Sequence, residues 1–368
     1  MHSIGARRDR ARTAMADLGV DGLLVTTLVN VRYLTGFSGS NGAFALTSEG
    51  SATLYTDGRY VDQAAAECPG VEIVVARDLL ASAAESMAVP RCVMPSSQRA
   101  VPPSWAVETH TLSVDAHRAL ADAAGPAEIR SSGRLVEALR VTKDPAELDA
   151  IQRACTISTD ALEDLLTTRF AGRTERQIAR DLEWRMFERG AEALAFETIM
   201  AAGPNSAIPH HRPTDRVVER GDLVKIDFGA RVDGYHADCT RTFVVGPPDD
   251  WQREIHAAVQ ASQATGVTAL RAGNPVADAD HAARAVLDEA GWLTYFTTGL
   301  GHGVGLEIHE DPYVGARTAG KLTAGTTLTM EPGIYLPGRG GVRIEDTVLV
   351  AETPRVLTPL TTELLEIA

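Results

Sequence analysis

The chain has 368 residues and a formal net charge of −14, so it lacks the basic surface that general nucleic-acid binding requires. Its 44% hydrophobic and 23% charged residues are ordinary for a globular protein, and the length predicts about two domains. No apolar run approaches the roughly 18 residues of a membrane span, so no membrane partner is expected.

The N-terminal third alternates strand-like and helix-like segments. In chain order we expect a helix over 5–19, a strand over 22–27 (GLLVTT), a turn-rich stretch over 35–42 (TGFSGSNG), strands at AFALT and ATLYT, and a helix over 59–67. Strands interleaved with helices predict a small α/β domain, which we assign to residues 1–132.

A second domain is expected over residues 133–368. A helical pattern runs from Leu135 to Thr168, with Pro145 at a break or in a first helical turn. We therefore predict a connecting helix over 133–170. After it, Thr174 and Gln177 form a capping-box pattern that begins the next helix.

Strand-like runs dominate beyond Leu194, with one helical stretch expected near 250–290. The N-terminus has charges but no apolar signal region, so we expect a cytoplasmic protein. None of the four cysteines, Cys68, Cys92, Cys155 and Cys239, forms a Cys-x-x-Cys pair. Zinc ribbons and thioredoxin-like chemistry are therefore not expected, and the thiols should be reduced.

Five residues able to bind metal ions stand in separate short motifs of the last two-fifths of the chain. They are Asp227 in KIDFGA, Asp238 in HADCTRT, His302 in GHGVG, Glu331 in TMEPGIY and Glu345 in GVRIEDT. Four carboxylates and one imidazole suit a pair of divalent cations better than a single tetrahedral zinc. Since two-metal sites activate water for displacement reactions, the set predicts a hydrolase.

The first two ligands fall on two strands joined by a turn. Asp233-Gly234 is a strong signal for a two-residue hairpin loop between LVKIDFGA and HADCTRTFVV. In the register that such a loop sets, Asp227 and Asp238 lie one step diagonal on the same face of the pair. They are therefore placed to share a metal pair.

Glu331 and Glu345 flank the glycine-rich bend PGRGG at residues 337–341. A loop with an odd number of residues would again place both carboxylates on one face. The glycines around His302 should allow a tight backbone there. One acid near a turn is usually solvated, but five such groups in apolar strands or glycine-rich loops are hard to explain without a ligand, because unpaired buried charge is costly.

These motifs resemble those of the creatinase/methionine-aminopeptidase superfamily, the pita-bread metallopeptidases. The fuller pattern resembles the aminopeptidase P and prolidase branch, which cleaves Xaa-Pro bonds. AAGPNSAIPHHRP (201–213) resembles its substrate-side histidine motif, and Arg343-x-Glu345 is typical of it. NVRYLTGFSGSNG and TDGRY resemble a creatinase-like N-terminal domain, which methionine aminopeptidases lack.

The resemblance implies a mixed α/β (α+β) fold, with a creatinase-like N-terminal domain and a C-terminal pita-bread domain. It implies that Asp227 chelates one metal and that Asp238 and Glu345 bridge both, while His302 and Glu331 complete one. We expect two divalent ions, Mn²⁺ first, with Co²⁺ or Zn²⁺ as other choices. Proline-containing peptides would be the substrates, and the resemblance implies a homodimer.

Four residues are assigned to catalysis on the same grounds. Glu331 would take the proton of a water held between the metals and return it to the proline nitrogen. His309 would stabilise the oxyanion with one metal, His210 would hold substrate and pass protons, and Arg343 would brace the ligands. The neighbouring His211 is expected to be a surface or supporting group, because most histidines do no chemistry.

Three alternatives remain beside this reading. Within the branch, an aminopeptidase P for longer peptides and a prolidase for dipeptides are both open, because no residue is secured as the binder of a free substrate carboxylate. A metal-free C–N hydrolase like creatinase is disfavoured by the complete ligand set. A catalytically inactive binding module is disfavoured by the presence of His210, His302 and His309.

Overall fold

The structure, a computed structural model, describes residues 2–88 and 102–368. The chain divides into two compact units, Met1–Arg140 and Val141–Ala368. The domain border predicted from the sequence, between residues 132 and 133, stays a prediction. None of the described helices is long and apolar enough to cross a membrane.

The first unit alternates helices and short strands, as the sequence predicts. Its elements are α1 (His2–Leu18), β1 (Gly22–Val25), α2 (Leu28–Thr35), β2 (Gly42–Thr47), β3 (Ala52–Thr56), α3 (Val61–Glu67), β4 (Glu72–Val75), α4 (Leu79–Met87), β5 (Ser104–Val107), α5 (Val114–Ala123), β6 (Glu128–Ser131) and α6 (Leu135–Arg140). The strands form one six-stranded sheet in the order β4-β3-β2-β1-β5-β6. Leu24, Tyr55 and Trp105 from the sheet pack with Ala84 and Met87 of α4, so the α/β prediction is confirmed.

The second unit holds two helix pairs and several small sheets. Its elements are α7 (Pro145–Leu166), α8 (Glu175–Glu188), β7 (Ala193–Leu194), β8 (Ile199–Ala202), β9 (Leu223–Phe228), β10 (Ala230–Val232), β11 (Tyr235–His236), β12 (Cys239–Val245), α9 (Asp250–Ala269), α10 (Val276–Glu289), β13 (Gly301–Gly303), β14 (Glu310–Val314), β15 (Thr327–Met330), β16 (Gly333–Leu336), β17 (Gly340–Arg343), β18 (Asp346–Leu349), β19 (Arg355–Val356) and β20 (Glu366–Ile367). Short 3₁₀ helices occupy Gly203–Ala207 and Leu293–Tyr295.

Each helix pair covers its own apolar core. Leu162 of α7 and Leu182 of α8 belong to a core that includes Ile226 of β9. Val259 of α9 belongs to a second core that includes Leu328 of β15. Two helix pairs, each packed on strands, give the mixed helix-and-sheet architecture expected of the C-terminal domain.

Two predicted helices are each broken in two. The connecting helix expected over 133–170 is α6 followed by α7, because Asp144 caps α7 and Pro145 occupies its first turn. Proline there cannot continue an incoming helix, since its ring displaces a carbonyl of the preceding turn. The single helix expected near 250–290 is α9 and α10, separated by a segment in which Gly273 has a φ of +91°.

Three of the cysteines, Cys68, Cys155 and Cys239, are free and buried. Cys92 lies outside the described residues. Burial raises the pKa of the Cys155 and Cys239 thiols. Because the thiolate is the reactive form, these side chains act as small apolar groups of the core.

Candidate metal centre

The turn at Asp233-Gly234 sets the register of the first pair of ligand strands. Val232 of β10 lies opposite Tyr235 of β11, which leaves a two-residue loop. Asp233 and Gly234 both have positive φ, +50° and +83°. Two left-handed residues are what a type I′ hairpin turn requires, so the predicted turn is confirmed.

The same register continues from β9 to β12 and brings the first two ligands together. Asp227 lies directly opposite Thr240, and Asp238 is two residues before Thr240. Side chains two residues apart point to the same face of a strand. Asp227 and Asp238 are therefore diagonal neighbours on one face, as predicted. Gly229, which lies between these two residues in the chain, has no room for a Cβ, because a Cβ would strike the Ala237 carbonyl.

A second long hairpin presents Glu331 and Glu345. β15 pairs with β18, and β16 pairs with β17, in one continuous register. Glu331 and Glu345 lie opposite each other in the gap between these two ladders. The loop from β16 to β17 contains residues 337–339, so its odd length is confirmed.

Thr240 joins the two hairpins. Its backbone forms an isolated antiparallel bridge with Glu345, whose N–H donates to the Thr240 carbonyl at 3.0 Å. The Thr240 hydroxyl also donates to Glu345 Oε2 at 2.6 Å. Since Thr240 faces Asp227 on its other side, one residue fixes the distance between the two carboxylate pairs.

His302 lies on β13, between β14 and β15. A side chain at Gly301 would strike the Thr329 carbonyl, and one at Gly303 would strike the carbonyls of β14. These glycines therefore allow the tight backbone that the sequence predicts. His302 Nδ1 donates to the Gly303 carbonyl at 3.0 Å, which leaves Nε2 of the neutral ring as an acceptor.

Acceptor atoms converge at this point. His302 Nε2 lies 3.4 Å from Glu331 Oε1 and 3.6 Å from Asp238 Oδ2. One ligand atom each from Asp238, His302 and Glu345 lie within 4.8 Å of one another. Asp227 Oδ1 is buried and has no hydrogen-bond partner. Lone pairs facing lone pairs in a buried site are unfavourable without a cation, so this donor set fits divalent metal ions.

The pKa values of three carboxyl groups reflect the same crowding of acceptor atoms. Burial raises the pKa of Asp238 well above its ordinary range, and the negative charges of Glu345, Asp227 and Glu331 raise it further. Burial and the charges of Glu331 and Asp227 raise the pKa of Glu345. Burial raises the pKa of Glu331 to about 7. Divalent cations bound here would favour the ionised form of these three carboxylates.

Arg343 braces the ligands from behind. Its side chain is buried, and one guanidinium nitrogen donates to Asp227 Oδ2. Its Nε donates to the Thr240 hydroxyl at 3.0 Å, and that hydroxyl donates in turn to Glu345. The planar fork of an arginine suits such simultaneous contacts, which a lysine could not reproduce.

A cleft of about 690 Å³ opens over the ligands. Seven of the eight predicted site residues line it, namely His210, Asp227, Asp238, His302, His309, Glu331 and Glu345. Arg343, the eighth, contacts the cleft through Asp227. The rings of His302 and His309 meet edge to face with centroids 4.3 Å apart. Burial lowers the pKa of His309, and the nearby His210 lowers it further.

His211 supports the cleft, one of the two roles expected for it, and sequence reasoning missed Glu175 and Lys225 beside it. His211 lines it and donates through Nε2 to the buried Glu175 at 2.8 Å. Lys225 is fully buried on β9, two residues before Asp227. A lysine inside the apolar strand LVKIDF is a signal that could have pointed to it. Glu175 had no such signal, because it looked like an ordinary acidic residue in the first turn of a helix.

Comparison with known families and structures agrees with this geometry. Residues 149–352 match the model of metallopeptidase family M24, and residues 7–142 match that of the creatinase/prolidase N-terminal domain. The chain is 35% identical over 342 residues to a Xaa-Pro dipeptidase of Pyrococcus furiosus, covering 92% of this chain and 93% of the relative.

Solved structures show the same likeness over almost the whole chain. A Xaa-Pro dipeptidase from Bacillus anthracis matches with a TM-score of 0.91 and 35% identity, covering 99% of this chain and 100% of that one. An X-Pro aminopeptidase from Thermotoga maritima matches with a TM-score of 0.88 and 32% identity, covering 98% and 99%. The chain therefore belongs to metallopeptidase family M24, in its aminopeptidase P and prolidase branch, which is a family of divalent-metal enzymes.

Proposed function

We propose that this M24 metallopeptidase is an exopeptidase that hydrolyses Xaa-Pro bonds with two divalent cations, Mn²⁺ in the first instance. The observation that carries the proposal is the convergence of His302 Nε2 with the oxygens of Asp238 and Glu331, all of them acceptors. The names of the relatives support the substrate class, because dipeptidases and an aminopeptidase for Xaa-Pro bonds occur among them.

The residues that would hold the cations are the predicted five: Asp227, Asp238, His302, Glu331 and Glu345. Bound there, two divalent cations would supply Lewis acidity that activates water and polarises the scissile carbonyl. Arg343 and Thr240 would keep the carboxylates in place. Such outer partners orient the ligands and tune their basicity.

Glu331 is proposed to move the proton. Its side chain is 18% exposed towards the cleft, compared with 6% for Asp238. It is therefore the more accessible of these two carboxylates to a substrate. A carboxylate in that position can accept a proton from the attacking water and return it to the leaving proline nitrogen.

The two histidines are proposed to act on the substrate. The lowered pKa of His309 keeps its ring neutral near pH 7, so an N–H can be donated to the oxyanion without a charge on the ring. His210 lines the same cleft and would contact the proline side. An Xaa-Pro bond is a tertiary amide without an N–H, so its recognition depends on shape and on contacts such as these.

The proposal is tested by loading the purified protein with Mn²⁺ and incubating it with Ala-Pro, Ala-Pro-Ala and creatine, with products followed by mass spectrometry. Cleavage of Ala-Pro alone identifies a prolidase. Release of alanine and Pro-Ala from Ala-Pro-Ala identifies an aminopeptidase P. Turnover of creatine alone would overturn the metal mechanism, and no turnover of any compound would favour an inactive binding module.

The metal count is tested separately by titrating the metal-free protein with Mn²⁺ and measuring bound metal. Two ions per chain support the dinuclear site, and one ion per chain contradicts it. The homodimer implied by the family resemblance stays a prediction, which light scattering coupled to size-exclusion chromatography tests.

A further inference from the structure

Lys225 and Glu175 of the second unit are buried close to the cleft and are not among the proposed metal ligands. Lys225 and Glu175 each have 0% relative exposure. A buried charge is costly unless it is well bonded, so these positions are expected to serve a purpose. The hydrogen bonds of both side chains go to one segment, residues 202–214, which we call the histidine loop because it carries His210.

Lys225 holds the part of the histidine loop that precedes His210. Its ammonium donates to the Ile208 carbonyl at 2.6 Å and to the Pro209 carbonyl at 3.3 Å. Arg343 donates to the same Pro209 carbonyl at 3.2 Å. Lys225 and Arg343 therefore both donate to the peptide unit immediately before His210, from strands β9 and β17.

Glu175 holds the loop at its beginning and after His210. Its Oε1 accepts from the Ala202 N–H and from the Asn205 amide, both at 2.9 Å. Its Oε2 accepts from His211 Nε2 at 2.8 Å and from the Thr214 N–H at 2.9 Å. Burial alone would raise the pKa of Glu175, but these hydrogen bonds hold it below its ordinary value. One carboxylate thus binds both ends of the histidine loop and the residue next to His210.

The geometry points to a positioning role. We propose that Lys225 and Glu175 clamp the histidine loop on both sides of His210 and thereby set its ring against the metal ligands and the substrate. The inference rests on the proposed function. Lys225 is two residues from Asp227 on β9, and Arg343 contacts both Asp227 and Pro209. These contacts fix the position of the histidine loop relative to the strand that carries Asp227. A shift of about 1 Å in a catalytic group can cost roughly 100-fold in rate.

The activity test is a double-mutant cycle on the Mn²⁺-loaded enzyme with the peptide that the wild type cleaves. Lys225→Met and Glu175→Gln should each lower kcat/KM by about 10–100-fold, as loss of a supporting partner does. In a His210→Ala background the same changes should cost less than about twofold, because the residue they position is gone. Metal content should remain that of the wild type.

The matched control is Lys143→Met. Lys143 is also a buried lysine of the second unit, but it donates to Glu310 at 2.6 Å and not to the histidine loop. The loss of activity caused by Lys143→Met should be the same in the wild-type and the His210→Ala backgrounds. Additive losses for Lys225→Met and Glu175→Gln would instead show a general structural role and overturn the proposal.

A second measurement does not depend on activity, so that failure of the clamp is distinguishable from failure of the proposed function. The His210 ring resonance, assigned with His210→Gln, is followed by NMR in the wild type and both clamp variants. We expect it to shift or broaden in Lys225→Met and in Glu175→Gln while the His256 resonance stays in place. An unchanged His210 resonance would refute the clamp whether or not the enzyme cleaves peptides.

Discussion

The metal ligands and the histidine loop lie on the same cleft but are held by different forces. Asp227 and Asp238, and likewise Glu331 and Glu345, are placed by the register of two hairpins. The histidine loop has no such ladder over His210, and buried charged groups hold it instead. Backbone pairing therefore places the residues that would hold metal, and side-chain bonding places a residue that would meet the substrate.

The two regions also differ in how complete they are without a ligand. Glu175 is fully engaged by donors from the loop, so that region is satisfied by the protein alone. The ligand cluster has carboxyl groups with raised pKa values and an oxygen of Asp227 without a hydrogen-bond partner. Removal of metal should thus disturb the cluster far more than the loop.

The largest effect is expected from Asp238→Asn, which breaks the ligand side of the comparison. The amide keeps the shape but removes a charge from the centre of the cluster. Turnover should fall by more than about 1,000-fold, since loss of even an outer partner of a metal ligand costs roughly 10–100-fold. Bound Mn²⁺, measured by elemental analysis, should fall with it.

The control is the same substitution on the same hairpin, Asp233→Asn, at a side chain that is 67% exposed. Asparagine tolerates the left-handed conformation of that turn, so activity and metal content should stay within about twofold. Full metal content in Asp238→Asn would contradict its assignment as a ligand.

His309→Ala breaks the substrate side while leaving the ligand side intact. The ring contacts His302 edge to face but stands outside the converging acceptors. Turnover should fall by about 100–1,000-fold, the usual loss for one oxyanion donor. The Mn²⁺ content and affinity, followed by calorimetric titration, should be those of the wild type. Unchanged turnover would remove His309 from the mechanism.

The same contrast explains what could be predicted from the sequence. The Asp233-Gly234 turn fixes the register locally, so the common face of Asp227 and Asp238 follows from residue numbers alone. The clamp could not be predicted in this way, because Glu175 meets His211 from 36 residues away and Lys225 meets Ile208 from 17. No periodicity records such side-chain contacts. The predicted position of Pro145 in a first helical turn is confirmed, whereas the segments 133–170 and 250–290 each contain two helices instead of one. A helical pattern in the sequence does not by itself fix where one helix ends and the next begins.

A smaller effect, on stability, sharpens the electrostatic half of the comparison. Glu331 has a folded-state pKa of about 7 against an ordinary value of 4.5. At this group the folded metal-free protein therefore binds more protons than the unfolded chain between these values. The contribution of Glu331 to stability should fall as pH rises from about 4.5 to 7 and level off above.

The change is measured as the difference in Tm between wild type and Glu331→Gln in the presence of EDTA, because that variant lacks the titrating group. The Tm of the wild type should fall relative to that of the variant as pH rises through this range. Saturating Mn²⁺ should reverse the trend, since metal binding requires the ionised carboxylates. A difference in Tm that is independent of pH would contradict the raised pKa.

The smallest effect is expected at the turn that sets the first register. Asp233 has a φ of +50°, which alanine adopts at a cost of about 1 kcal/mol. The exposed ion pair of Asp233 with Arg153 adds little. Asp233→Ala should lower Tm by a few degrees, while Asp233→Gly should cost less. The Mn²⁺ affinity should be unchanged in both, because six residue pairs between β9 and β12 hold the register once it has formed. A tenfold weaker affinity in Asp233→Ala would instead mean that the turn itself continues to govern ligand geometry, and that the ladder is not sufficient to place Asp227 and Asp238.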